Sequence, residues 1–464
     1  MNKTKVNLFN ICTIALALIA LSFFVSSCNN DDDTPTTPTD DIVSLASSTN
    51  DLTTLVSALG NYPDLVSALS GEGTFTVFAP SNTAFDNLLT ALNKSSINEL
   101  PADVLRNILE YHVLTSTLTS TDLTTGNQAT FGGENIEVNT NNGIVLNSNT
   151  NVVTSQADIA ASNGVVHVVD AVLLPPSIQP IVGTVVEAAY FNPDFSILVA
   201  ALVKADLVNT LLNPDGTFTV FAPTNDGFAE IGIPSVAALD DFTAAQLTPI
   251  LLYHVLGTEV ASSTLTNGQV VGALSEDDFY VSLPTAGGAF INGNTEITGF
   301  DLQFSNGVVH VINRTLQPPT DNIVDVAVAA GFNELAAALT RATLVGALSD
   351  EAAIFTVFAP TDQAFQNLYT FLGVANVNEI EIGTLTSVLQ YHVLSGRTFS
   401  SDLTDGLQAD PILEGTTTFT INLGNTVTLT DVNTSNTDAT VDSTDVLATN
   451  GVIHIINEVI LPIQ

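Results

Sequence analysis

The sequence predicts an α+β protein, repeated three times along the chain. Three observations support this reading. The stretch TFTVFAP at 74–80 recurs at 217–223 and, as IFTVFAP, at 354–360. A YHVL block follows each of them, at Tyr111-His112, Tyr253-His254 and Tyr391-His392, and NGVVHV or NGVIHI closes each unit at Asn163, Asn306 and Asn450. Within a unit, helical periodicity comes first and strand alternation after it. The first Phe moves from Phe75 to Phe218 to Phe355, and the closing histidine from His167 to His310 to His454. A repeat of about 140 residues is the length of an ordinary domain rather than of a solenoid unit, so each copy is expected to own a core.

Each element has a local reason. In the first copy, Asn50 and Asp51 are expected to cap a helix whose apolar face is Leu52, Leu55, Val56 and Leu59, with Gly60 as its stop. A short helix carries Leu65, Val66 and Leu69. TFTVFAP reads as a strand buried on both faces, because Phe75 and Val77 point one way and Phe78 the other. Ser81-Asn82 are expected to cap the next helix, with Ala84, Phe85, Leu88 and Leu89 on one face. Pro101 opens a further helix that runs into a strand at the Tyr-His pair. Thr, Val, Ile and Asn then alternate between turns such as Asn142-Gly143, and NGVVHVV is a turn followed by the last strand.

The chain opens with Lys3 and Lys5 ahead of an apolar run from Ile11 to Val25, which ends in VSSC. The run suits a signal-peptide core and is short for a membrane span. VSSC resembles a bacterial lipobox, so residues 1–27 are expected to be removed and Cys28 to carry lipid. Plain secretion is the competing reading. Cys28 is favoured because it is the only Cys beyond the apolar run. NNDDD resembles an acidic signal for the outer face of a Gram-negative outer membrane, and residues 28–40 read as a disordered acidic and Pro/Thr tether. Domains are expected at 41–176, 181–319 and 322–464, with PPSIQP and PPTDN as short, semi-rigid joints.

Without residues 1–27 the chain has 6 basic and 48 acidic residues, a balance of −42. Two basic residues per copy cannot build a basic patch, which excludes nucleic acid and leaves anionic membranes as poor partners. With 45% hydrophobic residues the chain is folded rather than an acidic disordered tail.

All six histidines lie in repeated motifs. Strand alternation puts His167 on the face of Val165 and Val169, where a histidine is usually neutral with both nitrogens hydrogen-bonded. His167, His310 and His454 are therefore read as structural. At the Tyr-His pairs the two side chains are expected on opposite strand faces, one of them exposed. Beyond the lipid-bearing Cys28 the mature chain has no Cys, and it has no His-x-x-x-His spacing, so no metal or other cofactor is expected. The acid-rich DVNTSNTDATVDSTD at 431–445 lacks the Gly and terminal Glu of an EF-hand and reads as a polar β-edge or loop, open to weak incidental calcium binding. No Gly-x-Ser-x-Gly elbow is present, and a Ser-His-Asp meeting is the least expected outcome.

The trio TFTVFAPTNxxF, YHVL and NGVVHVVDxVLxP closely resembles the fasciclin-like domain over residues 41–464. The resemblance implies three tandem domains, each a compact wedge-like β-sandwich with helices packed on it. It implies adhesion and extracellular-matrix contact without catalysis. It also implies adhesive contact around Tyr111, His112, Tyr253, His254, Tyr391 and His392. The expected partners are matrix, a cell-surface protein or a polysaccharide, with the membrane reached through the lipid alone. A carbohydrate-binding or scavenging role at the outer membrane is the alternative, weakened by the absence of Trp. A hydrolase is the third.

Overall fold

A computed structural model describes residues 38–415, 418–433 and 437–462. The expectations for the signal peptide, Cys28 and tether residues 28–37 lie outside the described residues.

Each copy is three layers deep: helices, a central sheet, and a second sheet. In the first copy the Phe75–Pro80 strand pairs in parallel with the closing strand Gly164–Val169, setting Phe78 opposite His167. The same register sets Phe221 opposite His310 and Phe358 opposite His454. Val77 and Ala79 face the helices, and Phe78 faces the second sheet. The central strand is thus apolar on both sides because it has a core on both sides.

In the second and third copies the two sheets are continuous, seven strands each. The long strands Thr295–Phe304 and Ala439–Ala448 pass from one sheet to the other through register shifts. In the first copy the passage is broken into Thr150–Asn151, a 3-10 turn, and Ile159–Ala161, and two four-stranded sheets result. One aspartate sits at the bend of each copy with a positive φ: Asp158 at 58°, Asp301 at 55° and Asp445 at 60°.

Three local expectations are corrected. A helix at Ile42–Ser48 precedes the expected one and is capped by the Asp41 carboxylate, which accepts from Ser44 N. Asn50 and Asp51 lie in a 3-10 turn and cap nothing with their side chains. Ser81 does cap the Asn82–Ala91 helix, but the Asn82 amide reaches back to Asn50 O and Thr54 N. Finally, Tyr111 ends the Ala102–Tyr111 helix, His112 is its C-cap, and the strand begins only at Val113.

The joints are more than linkers. The first carries a five-residue insert, Ser177 to Ile181, relative to the second. Ile178 and Ile181 are buried in a continuous core that also contains Leu92, Leu100 and Val104 of the first copy and Val185 and Phe191 of the second. The first two copies therefore share apolar packing, against the expectation of three independent cores. At the second joint the Arg397 guanidinium lies 4.4 Å from the centre of the Tyr280 ring and donates to the Tyr280 hydroxyl. It also donates to the carbonyls of Ala448 (3.1 Å) and Thr449 (2.6 Å). Gly293 packs so closely there that a Cβ would lie 2.7 Å from the Asp445 carboxyl carbon. Arg397→Ala is expected to loosen this joint, removing a cation–π contact of about 0.5–2 kcal/mol. Spin labels on the second and third domains should then report a broader distance distribution.

Candidate functional site

The repeated motifs converge on one polar network buried between the helices and the sheets. It begins with the asparagine of NGVxH. Asn163 Oδ1 accepts from Ile42 N at 3.0 Å, and its Nδ2 donates to Leu69 O at 2.7 Å and Gly71 O at 3.0 Å. Its backbone carbonyl accepts from Phe75 N. Asn306 and Asn450 repeat these bonds. One asparagine, through its side-chain amide and its backbone carbonyl, thus ties the leading segment, the last early helix and the central strand together. The glycine that follows has a steric reason: a Cβ on Gly164 would lie 2.1 Å from Phe75 O.

The closing histidine holds a loop. His167 Nδ1 accepts from Asp158 N at 3.2 Å, and its Nε2 donates to Leu118 O at 2.9 Å. Leu118 N in turn donates to Thr76 Oγ1 at 2.8 Å, and Thr76 donates to Ser116 O at 2.6 Å. His310 and His454 make the equivalent bonds with Asp301 and Val260, and with Asp445 and Thr398. Each ring lies beside the Phe opposite it, with centroids 5.8, 5.3 and 5.3 Å apart.

The histidine of the Tyr-His pair is wired the other way round. His112 Nδ1 donates to Ile108 O at 2.6 Å, and its Nε2 accepts from Leu173 N at 2.9 Å. His254 and His392 do the same with Ile250 and Leu316, and with Val388 and Ile460. The ring caps a helix and catches the departing chain. Both acts require a neutral imidazole, protonated on Nδ1. Burial pushes the pKa of His112, His254 and His392 down to about 4. Burial also lowers that of His454, opposed by the Asp445 carboxylate.

Tyr111, Tyr253 and Tyr391 are 1%, 0% and 0% exposed and pack in the core between the sheets. The Tyr111 hydroxyl donates to Asn135 O and accepts from Asn147 Nδ2, and Tyr253 repeats this with Asp278 and Asn292. A contact face on these six side chains does not fit this placement. The expectation of one exposed partner rested on strand alternation, and the helix continues through the tyrosine.

A serine, an aspartate and a histidine do meet in every copy, which sequence reasoning rated least expected. Ser120 donates through N and Oγ to the Asp158 carboxylate, as Ser262 does to Asp301 and Ser400 to Asp445. The Ser120 hydroxyl holds the Asp158 carboxyl below the usual carboxylate range, and Ser262 does so for Asp301. The connectivity differs from that of a catalytic triad. A nucleophile needs its hydroxyl on the imidazole, with the carboxylate on the other ring nitrogen. Here the hydroxyl proton goes to the carboxylate, the imidazole proton goes to a backbone carbonyl, and the ring is fully buried. The arrangement fixes the loop after the Tyr-His pair. His167→Ala should lower the stability of the first domain by about 1–3 kcal/mol, by stranding Asp158 N–H and Leu118 C=O. Calorimetry of the variant checks this. Unchanged stability would contradict the structural role.

In the acid-rich stretch, Asp431 accepts from Asn433 N and Leu461 N, and Asp445 is bound to Ser400. Among the described residues no three His, Cys, Asp or Glu side chains gather as metal ligands, and no helix is long and apolar enough to cross a membrane.

The Fasciclin domain model matches residues 50–175, 193–318 and 330–462. Transforming growth factor-beta-induced protein ig-h3 of Sus scrofa is 29% identical over 408 residues, covering 85% of this chain and 54% of that protein. Protein sll1483 of Synechocystis is 41% identical over 137 residues, 29% of this chain and 74% of that protein. Fasciclin-like arabinogalactan protein of Arthroderma benhamiae is 30% identical over 226 residues, 47% of this chain and 46% of that protein. The chain spans about half the length of the ig-h3 proteins it matches. With its three matched segments in series, each holding the same buried network, the chain belongs to the fasciclin-domain family.

Proposed function

We propose that the chain is a non-catalytic adhesion lipoprotein, anchored through Cys28 in the outer membrane of a Gram-negative bacterium and facing the exterior. Its three domains make weak contacts in parallel with matrix, a cell-surface protein or a polysaccharide. One observation carries this reading: the groups that resemble chemistry, in all three copies, are used to hold backbone. What the copies can offer a partner is a similar surface displayed three times. The Tyr-His pairs serve that surface from beneath, by fixing the strands and loops around them.

The anchor has its own test. Cys28→Ser should abolish metabolic lipid labelling and move the protein from the membrane to the soluble fraction. A wild-type protein that is soluble and unlabelled would rule out the anchor. Protease shaving of intact cells reads the orientation, and a chain protected from it would exclude the exterior.

A further inference from the structure

The third domain carries an apolar groove of about 490 Å³, lined among others by Leu368, Phe371, Leu372, Leu385, Val388 and Leu461. Among the described residues that line it, none is charged. Phe371 is 49% and Leu372 is 41% exposed, although both end an otherwise well-packed helix.

The first domain shows what such a face holds. Leu92 occupies the place of Leu372, 13 residues after the Ala of its own FAP motif, and is 5% exposed. It faces Gly183, Glu187, Ala188 and Phe191 across the first joint. The chain reaches that face directly from Leu174-Pro175, whose counterparts Leu461-Pro462 line the open groove. Ile178 and Ile181 follow, three residues apart on a Pro-containing 3-10 turn, and are 0% and 3% exposed. The second joint lacks this insert. The same helical face therefore occurs twice: in the first domain Leu92 is buried in the apolar core that also holds Ile178 and Ile181, and in the third Leu372 is exposed.

We infer that the groove of the third domain docks a proline-flanked aliphatic segment of a separate polypeptide, with two branched aliphatic side chains three residues apart. Its neutral lining suits uncharged anchors, since a charged side chain would be desolvated there without a partner. The groove of the third domain becomes a recognition site of defined chemistry.

The test uses the full chain from residue 28, made soluble by Cys28→Ser, and a fluorescent peptide of sequence PPSIQPIVGTVV. A photo-cross-linking residue replaces its first Ile. Saturable binding is expected, with cross-links to residues 368–388. Leu372→Asp should weaken it at least tenfold, as should Asp at both Ile positions of the peptide. Leu372 is exposed, so the variant should melt like the parent. If it does not, Phe371→Ser replaces it. Absence of binding at millimolar peptide, equal binding by the folded variants, or cross-links confined to the first domain would each overturn the inference. So would concentration-dependent dimerisation that Leu372→Asp abolishes, since the occupant would then be a second copy. A groove that binds no peptide leaves the adhesive reading of the array untouched.

Discussion

Gly451→Ala is expected to unfold the third domain while the other two stay folded. A Cβ there would lie 2.1 Å from Phe355 O and 3.1 Å from Phe355 C, both backbone atoms. Neither can retreat. The Phe355–Pro360 strand is paired in parallel with the closing strand and antiparallel with Val393–Ser395, and is buried on both sides. Relief would require separating the central pair, which would also pull Asn450 from Leu348, Asp350 and Ile323. Overpacking a core usually costs about 1–3 kcal/mol, and contact with immovable backbone belongs at or beyond the upper end. The apolar clusters of the third domain are separate from those of the first two, so the damage should stay local. Calorimetry should show one transition lost or moved down by many degrees and the remainder retained. A variant with an unshifted third-domain transition would disprove the close approach.

Acid should weaken all three domains between about pH 6.5 and pH 4. His112, His254 and His392 are held at a pKa of about 4, against 6.5 in the unfolded chain. In that window the unfolded state takes up a proton that the folded state refuses, so stability falls as pH falls. Above pH 6.5 the contribution is fully present; by pH 4 it is gone. The loss is on the order of 3 kcal/mol per histidine. The physical event is specific. A second proton on His112 would point Nε2–H at Leu173 N–H, and the departing chain would lose its acceptor. The lowered carboxyls of Asp158 and Asp301 act in a lower window, because their stabilisation is lost only as pH falls below the ordinary carboxylate range. Melting temperatures across pH 7.5 to 4.5 check the effect, and His392→Gln should flatten the slope of the third-domain transition. A melting temperature independent of pH over this range would contradict the neutral, buried assignment.

The parts of this fold that were legible in the sequence are those set by burial alone. FTVFAP carries apolar side chains to both of its faces, Val77 and Ala79 to the helices and Phe78 to the second sheet, and the adjacent Val77-Phe78-Ala79 records that directly. Other parts depend on long-range geometry that leaves little local trace. Asn163 looked like a turn residue, and nothing nearby shows that its amide spans Ile42, Leu69 and Gly71. Asp158, Asp301 and Asp445 were missed because their role follows from a positive φ at a sheet bend. Their threefold placement, nine residues before each closing histidine, was the available signal. The tyrosines were misplaced by a helix that runs further than alternation suggested. Prolines disguised the first joint as a linker, although its two isoleucines are as buried as any core residue.

Adhesion by repeated weak contacts can be read most directly from retention under flow. Cells displaying either the whole array or residues 322–464 alone, at equal density, are drawn over matrix, polysaccharide and neighbouring-cell surfaces across a salt series. Linking modest sites raises avidity by about 100- to 10,000-fold when the geometry allows simultaneous contact. A charge of −42 for the chain without residues 1–27, from 6 basic and 48 acidic residues, would repel other acidic surfaces until salt shortens the Debye length. Retention should therefore be far stronger for three domains than for one, and stronger in salty medium than in dilute buffer. Equal retention for one domain and three would contradict the multivalent mechanism, and no retention on any surface would contradict adhesion itself.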